Sequence, residues 1–306
     1  MRLKFYIADV FSDKIFHGAQ IAVFPRTAGL DAAGMQLVAR EFNLPGTVFV
    51  LPPADDTYAF RARIFLPGSE IEFGSHAVIA AAYVLATIGE IRLVRKHTPI
   101  VLKLNAGPIQ VYVTEAHGKP IFVQFTKRTR AKIDRYVPSY GELADILALE
   151  ESDLEKLKYT PLLVSCDYPY LIVPLRSYAT VRRARFDFNV WSQSSAPATF
   201  VQEILLFSTE SLIESSDFHG RLVGPKIGVT EDPPIGSAIP AFAHYLCRQP
   251  PFKRGTYTFA MDRGEPAARQ SVLNVEMDND MTENLTIRVG GAAVLVSEGE
   301  MTVPAG

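Results

Sequence analysis

The chain has 306 residues, 48% of them hydrophobic and 21% charged, with a formal net charge of −2 at neutral pH. This is ordinary globular composition, long enough for about two average domains and for a large core without disulfides or metals. So small a charge supplies no basic field for nucleic acid or a membrane surface, and no stretch reaches the roughly 18 uninterrupted apolar residues of a membrane span.

Met1 to Phe11 reads as a first strand and not as a secretory leader, because Lys4 and Asp9 interrupt it and no small-residue cleavage site follows. Asp31 to Phe42 predicts a helix with Met35, Val38, Ala39 and Phe42 on one face. Phe60, Ala62, Ile64 and Leu66 alternate with Arg61, Arg63 and Phe65, as in a strand. Ala77 to Ile88 predicts an Ala-rich helix, and Ile109, Val111 and Val113 mark another strand. Thr126 to Tyr140 carries Lys127, Arg128, Arg130, Lys132 and Arg135 and reads as a solvated basic loop linking two halves. Glu142 to Leu157 predicts a helix with Leu143, Ile146, Leu147, Leu154 and Leu157 inward, and Ala238 to Leu246 a second Ala-rich helix. Leu285, Ile287 and Val289 mark a late strand. Short strands and scattered helices without a regular βαβ rhythm predict an α+β fold. The pattern changes near Pro120, which divides the chain into an N-terminal lobe, 1–117, and a C-terminal lobe, 118–306, whose last strand returns to the first lobe. The two cysteines, Cys166 and Cys247, lie far apart without CxxC spacing, which argues against a metal site or disulfide framework and fits a reducing cytoplasm.

The two Ala-rich helices are introduced alike, by Glu70-Ile71-Glu72-Phe73-Gly74-Ser75-His76 and by Asp232-Pro233-Pro234-Ile235-Gly236-Ser237-Ala238. Each places a carboxylate four residues before a Gly-Ser pair. A helix start carries N–H groups with no intrahelical partner and favours an anion. Gly lets a ligand approach the backbone, Ser is a good N-cap or a direct donor, and Pro240 falls where a missing N–H costs little. Gly74, Ser75, Gly236 and Ala238 are therefore the candidate binding residues for a small carboxylate-bearing molecule, held where the two starts face one cavity. His76 can give or take a proton near neutral pH. Asp232 is a candidate acid or base, with an Asx-type turn as its simpler role.

These same segments resemble the phenazine-biosynthesis PhzF-like proteins. DVFSDKIFHGAQIAVF, MQLVAREFNL, RIFLPGSEIEFGSHA, GVTEDPPIGSA and IRVGGAAVLVSEGEM follow in the family's order and spacing across nearly the whole chain. The resemblance implies a diaminopimelate-epimerase-like fold of two similar lobes, each a sheet wrapped around a central helix. It also implies a homodimer, and an isomerase that moves a proton within a small cyclic amino-hydroxy carboxylic acid without a cofactor. The family's catalytic His, Asp and Ser fall on His76, Asp232 and Ser237. Its proton-shuttling Glu falls on Gly46, in Asn43-Leu44-Pro45-Gly46-Thr47, which cannot titrate. Epimerases of this fold that use two thiols carry them at the helix starts, where this chain has Ser75 and Ser237. Two readings follow: an isomerase with altered catalytic equipment, or a catalytically silent member that binds a metabolite or a protein partner.

Overall fold

Strand-forming segments rich in Val, Ile and Phe supply most of the regular structure, and two short apolar helices sit against them. The computed structural model describes residues 1–52, 58, 60–199, 203–225, 227, 232–250 and 252–303. It separates the chain into two units: Met1–Lys127 with Glu265–Leu273 and Arg288–Gly306, and Arg128–Gly264 with Asn274–Ile287.

The first unit begins with β1 (Arg2–Val10), β2 (Ala19–Phe24), α1 (Ala32–Phe42), β3 (Thr47–Leu51), β4 (Phe60–Phe65) and β5 (Glu70–Ile71). It continues through α2 (Ser75–Thr87), β6 (His97–Leu104), β7 (Gly107–Ala116) and the start of β8 (Lys119–Arg130). β1 pairs antiparallel with β2, β2 parallel with β3, β3 antiparallel with β4, and β4 parallel with β6, from which β7 and β8 continue antiparallel. Every residue of α2 from Ser75 to Ala86 is buried, as befits a helix apolar on all sides. It packs on β1, β2, β3 and β7, so the sheet wraps it. α1 is amphipathic instead. Asp31 caps it by accepting from the Gly34 amide at 2.8 Å, and Met35, Val38 and Ala39 face a cluster with Leu3, Phe24, Phe49 and Phe65.

The second unit holds β9 (Lys132–Asp134), α3 (Tyr140–Leu147), β10 (Leu162–Ser165), β11 (Pro169–Pro174), α4 (Tyr178–Arg183) and α5 (Phe188–Gln193). Next come β12 (Ile204–Ser208), β13 (Phe218–Val223), α6 (Ile239–Leu246) and β14 (Gly255–Glu265). Here β9, β10 and β11 run antiparallel, β11 and β12 parallel, β12 and β13 antiparallel, and β13 and β14 parallel. α6 is buried along its whole length and packs on β10 and β11. Phe242 and Tyr245 of α6 join Phe207, Phe218 and Phe259 in an aromatic cluster; Phe242 lies 4.9 Å from Phe207 and 5.1 Å from Phe218, both edge-on. Such edge-to-face pairs add about 0.5–1.5 kcal/mol beyond area burial.

β15 (Ala268–Asn279), β16 (Asn284–Gly291) and β17 (Ala293–Thr302) complete the chain. The boundaries between units fall inside β8, β14, β15 and β16. β17 lies antiparallel along the whole of β1, from Arg2↔Thr302 to Val10↔Ala293. The observed architecture is the α+β fold expected, mostly sheet with few helices. No helix of the described residues is long and apolar enough to cross a membrane.

Two elements differ from the sequence expectation. The basic stretch from Thr126 is not a solvated loop. It is the second half of β8 followed by β9, with Thr129 turned inward while Arg128 and Arg130 face out. The alternation was there, but Thr in place of Val or Ile hid it. The helix expected over 142–157 ends at Leu147, because Ala148 takes a left-handed φ of 51°. It begins at a capping box in which Ser139 and Glu142 serve each other's backbone N–H groups. Hydrogen bonds from the backbone of Ser139 and Ser195 hold the Glu142 carboxyl down to about 2.

Removing the ring at the centre of the aromatic cluster creates a cavity. Phe242→Ala is expected to lose about 3–5 kcal/mol in urea unfolding, whereas Leu157→Ala, at a side chain 94% exposed, stays within about 0.5 kcal/mol.

Candidate functional site

The loop entering α2 is held by a half-buried ion pair. Arg63 on β4 donates from Nε and Nη2 to the two carboxylate oxygens of Glu70, each at 2.7 Å, and Asn105 adds a third donor at 2.7 Å. The fork of a guanidinium matches a carboxylate, so the pair fixes direction as well as charge. The Arg63 guanidinium beside Glu70 holds its carboxyl below the usual range, against the opposing effect of burial. Glu70 is thus the anchor of this loop. Gly74 caps α2 in extended backbone, and Ser75 is its first helical residue, fully buried. Ser75 is therefore not the N-cap.

His76 stands at the second helical position with its ring edge-on to Phe11, centroids 4.8 Å apart. Phe11 is immobilised on several sides. Its backbone adopts a left-handed φ of 61°, its carbonyl accepts from the Val272 amide at 2.8 Å, and Gly291 approaches so closely that a Cβ there would meet the ring at 2.5 Å. The loop that follows is pinned by Asp9, fully buried, which accepts from the Phe16 amide at 2.6 Å and from Arg269 at 3.0 Å. The aromatic wall against His76 is thus part of the rigid frame.

The start of α6 is built differently. Arg182 on α4 donates to both oxygens of Asp232, at 2.5 and 2.6 Å, while Arg221 Nε lies 3.9 Å away and Arg263 donates to the Asp232 carbonyl. Burial alone would raise the Asp232 carboxyl, but Arg182, Arg221 and Arg263 outweigh it and hold it down. Arg221 also donates to the carbonyls of Val181, Arg182 and Ala184 at the end of α4. Asp232 itself has a left-handed φ of 46°. After it, Ile235 is buried against the glycine at 220, where a Cβ would come within 3.3 Å of Ile235 and 2.8 Å of Met261. Gly236, Ser237 and Ala238 form a turn, with the Ala238 amide donating to the Ile235 carbonyl at 2.9 Å. Ala238 caps the helix, Pro240 lies in its first turn, and Ser237 is exposed. Gly228 to Glu231, the front of the second motif, lie outside the described residues.

The two Gly-Ser starts are thus alike in their arginine-held carboxylate and unlike in their serine: Ser75 is buried inside the helix, Ser237 exposed before it. Neither serine caps. Gly46 is buried just before β3, with its carbonyl accepting from Ala22 at 3.1 Å. Its backbone is outside the left-handed region, and a Cβ there would meet only the Ile21 methyl, at 3.1 Å. Cys247 stands at the far end of α6 with its sulfur 3.9 Å from that of Met277, and burial pushes its thiol up to about 11, as in an unreactive core thiol. Among the described residues no group of three or more His, Cys, Asp or Glu is placed to hold a metal ion.

Sequence reasoning missed the arginines. A signal was available, since Arg63-Ile64-Phe65-Leu66-Pro67 precedes Glu70 as Arg221-Leu222-Val223-Gly224-Pro225 precedes Asp232. It also missed Tyr170 on β11, fully buried, whose phenol burial pushes well up.

Residues 8–299 match the family described as phenazine biosynthesis-like protein. An uncharacterized isomerase of Mesorhizobium japonicum is 28% identical over 98% of this chain and 99% of its own length. The crystal structure of a Bacillus anthracis phenazine biosynthesis protein of the PhzF family superposes with a TM-score of 0.86 at 22% identity, covering 99% of both chains. A probable proline racemase from Agrobacterium radiobacter shares the fold at a TM-score of 0.63 and 11% identity, over 98% of this chain and 93% of its own.

The Asp232 clamp predicts a pH signature. A carboxylate held below its unfolded value stabilises the fold fully above about pH 4, and that contribution is lost as the pH falls through the folded value. Asp232→Asn is expected to cost about 3 kcal/mol at pH 7, with the deficit shrinking below pH 4. Urea unfolding of both proteins at pH 7 and pH 3.5 checks it.

Proposed function

As the chain belongs to the phenazine biosynthesis-like protein family, we propose that it is an isomerase that relocates a proton within a small, cyclic, carboxylate-bearing amino acid, using no cofactor. The observation that carries the reading is His76, a titratable ring in the first turn of α2, packed edge-on against the fixed Phe11. Isomerisation by proton transfer needs a base in a fixed place and a means of stabilising the developing anion. His76 is the proton carrier in this scheme. Asp232, held ionised by Arg182 and its neighbours, positions the loop before α6 and carries no proton itself. Ser237 and the backbone of Gly236 and Ala238 are the candidate binding groups of the second unit, and Gly74 and Ser75 those of the first. That relatives bear the isomerase name supports this reading.

A second reading has one observation in its favour. The sequence resemblance aligns Gly46 with the family's shuttling Glu, and in this second reading the chain binds its ligand without turning it over. Both readings meet in one experiment: wash-in of solvent deuterium into small cyclic amino-hydroxy carboxylates. The native protein is expected to exchange slowly, His76→Gln to lose about 10²–10⁴-fold, and Gly46→Glu to gain, because its backbone accepts a side chain and only the Ile21 methyl must yield. Rapid native exchange that survives His76→Gln overturns the assignment. Ligand-induced thermal stabilisation without exchange in any variant establishes the silent binder.

A further inference from the structure

β13 grips α4 at both of its ends. Two residues of this strand, His219 and Arg221, are spaced to face the same side of the sheet. Arg221 donates to the carbonyls of Val181, Arg182 and Ala184, at the end of α4, at 3.2, 3.0 and 3.0 Å. At the first turn, the Tyr178 ring lies against the His219 ring, centroids 4.5 Å apart. The same turn is held by Ser177, which accepts from the Thr180 amide at 3.1 Å, and by Glu210, which accepts from the Tyr178 amide at 3.2 Å. Between these ends α4 carries Arg182, whose guanidinium meets both oxygens of Asp232.

His219 is itself set by a buried network that the proposed reaction does not use. It pairs in register with Asp262 of β14, and its Nδ1 lies 2.7 Å from Asp262 Oδ2. The other carboxylate oxygen of Asp262 accepts from the Ser211 hydroxyl at 2.5 Å, and Ser211 accepts in turn from the Ile213 amide at 2.8 Å. His219 and Asp262 are fully buried. Nε2 of His219 is buried as well and has no hydrogen-bond partner among the described residues. An unpaired buried nitrogen is unfavourable, and an apolar side chain of similar size would fill the space without it. What the imidazole adds over such a side chain is the bond through Nδ1, which fixes the plane of the ring against which Tyr178 rests.

We propose that His219 is a positioning residue for the start of α6: oriented by Asp262, it seats Tyr178 and, together with Arg221, sets the place of α4 from which Arg182 engages Asp232. The seating of α4 stands on the geometry of the second unit alone. Its consequence for turnover rests on the function proposed above, and the two are read separately.

Seating is read by the pH titration of the Asp232 carboxyl carbon in protein carrying isotope-labelled aspartate, the signal being identified by its loss in Asp232→Asn. His219→Leu is expected to move that titration up towards the ordinary value of about 4. Tyr178→Leu removes no charge and cuts the same link at a half-buried side chain, so it is expected to fold and to move the titration in the same direction. Asp262→Asn, whose amide serves either tautomer of His219, is expected to keep the native titration. An Asp232 titration unchanged in folded Tyr178→Leu, or moved as far by Asp262→Asn as by His219→Leu, overturns the proposal. Turnover is read by the deuterium wash-in. Gly236 to Ala238 are binding groups in the proposed reaction and His76 carries the proton. Tyr178→Leu is therefore expected to raise KM about tenfold and to change kcat by less than about threefold, a split that general loosening of the fold would not produce. A fall in kcat at unchanged KM refutes the consequence for turnover. No exchange by the native protein, with the Asp232 titrations as expected, refutes the proposed function and leaves the seating established.

Discussion

Holding a carboxylate partly out of water at the entrance to a helix is costly unless cations meet it in good geometry, and this protein meets that condition at both of its buried helices. Glu70 takes a two-pronged bond from Arg63, and Asp232 takes one from Arg182 with Arg221 and Arg263 close by. α2 and α6 are both buried over nearly their whole lengths, and each needs a preference for one starting point over another. The ion pairs supply that preference from outside the core. They fix where the helix begins and therefore what stands at its start: His76 in the first turn of α2, the Gly236–Ala238 turn just before α6.

This arrangement separates two tasks that a sequence reading tends to merge. A carboxylate near a helix start invites the role of acid or base, but an arginine-held carboxylate has lost the freedom to exchange a proton near neutrality. Asp232 is better suited to holding its loop, whose backbone at φ 46° needs external restraint. His76 sits in a different setting, packed edge-on against the fixed ring of Phe11.

Much of this was legible in the residues. The strand alternation around Ile64 and Val111, the Ala-rich helices and the α+β class all follow from local periodicity, which one chain displays without help. The repeated carboxylate before Gly-Ser marked both helix starts. What escaped was non-local. Arg182 meets Asp232 from 50 residues away, and no short-range pattern encodes that. The difference between Ser75 and Ser237 escaped for a related reason. The same two letters follow a glycine in both places, but Gly74 ends a strand-like approach in extended backbone, whereas Gly236 leaves a left-handed bend and a pair of prolines, which shifts the helix start past the serine.

The pairing of β1 with β17 has a consequence for synthesis. β1, Arg2–Val10, finds one of its two sheet partners, β2, soon after it is made, but its other edge is closed only by Ala293–Thr302. Throughout translation of the intervening chain that edge presents unpaired amides and carbonyls beside Val10, Ala8 and Tyr6, a template for pairing with another nascent copy. The first unit therefore matures after the second, although it is started before it. Synthesis of the chain through β16, not emergence of the first helix, sets the earliest moment at which Phe11 acquires the contact from Gly291 that locks it against His76.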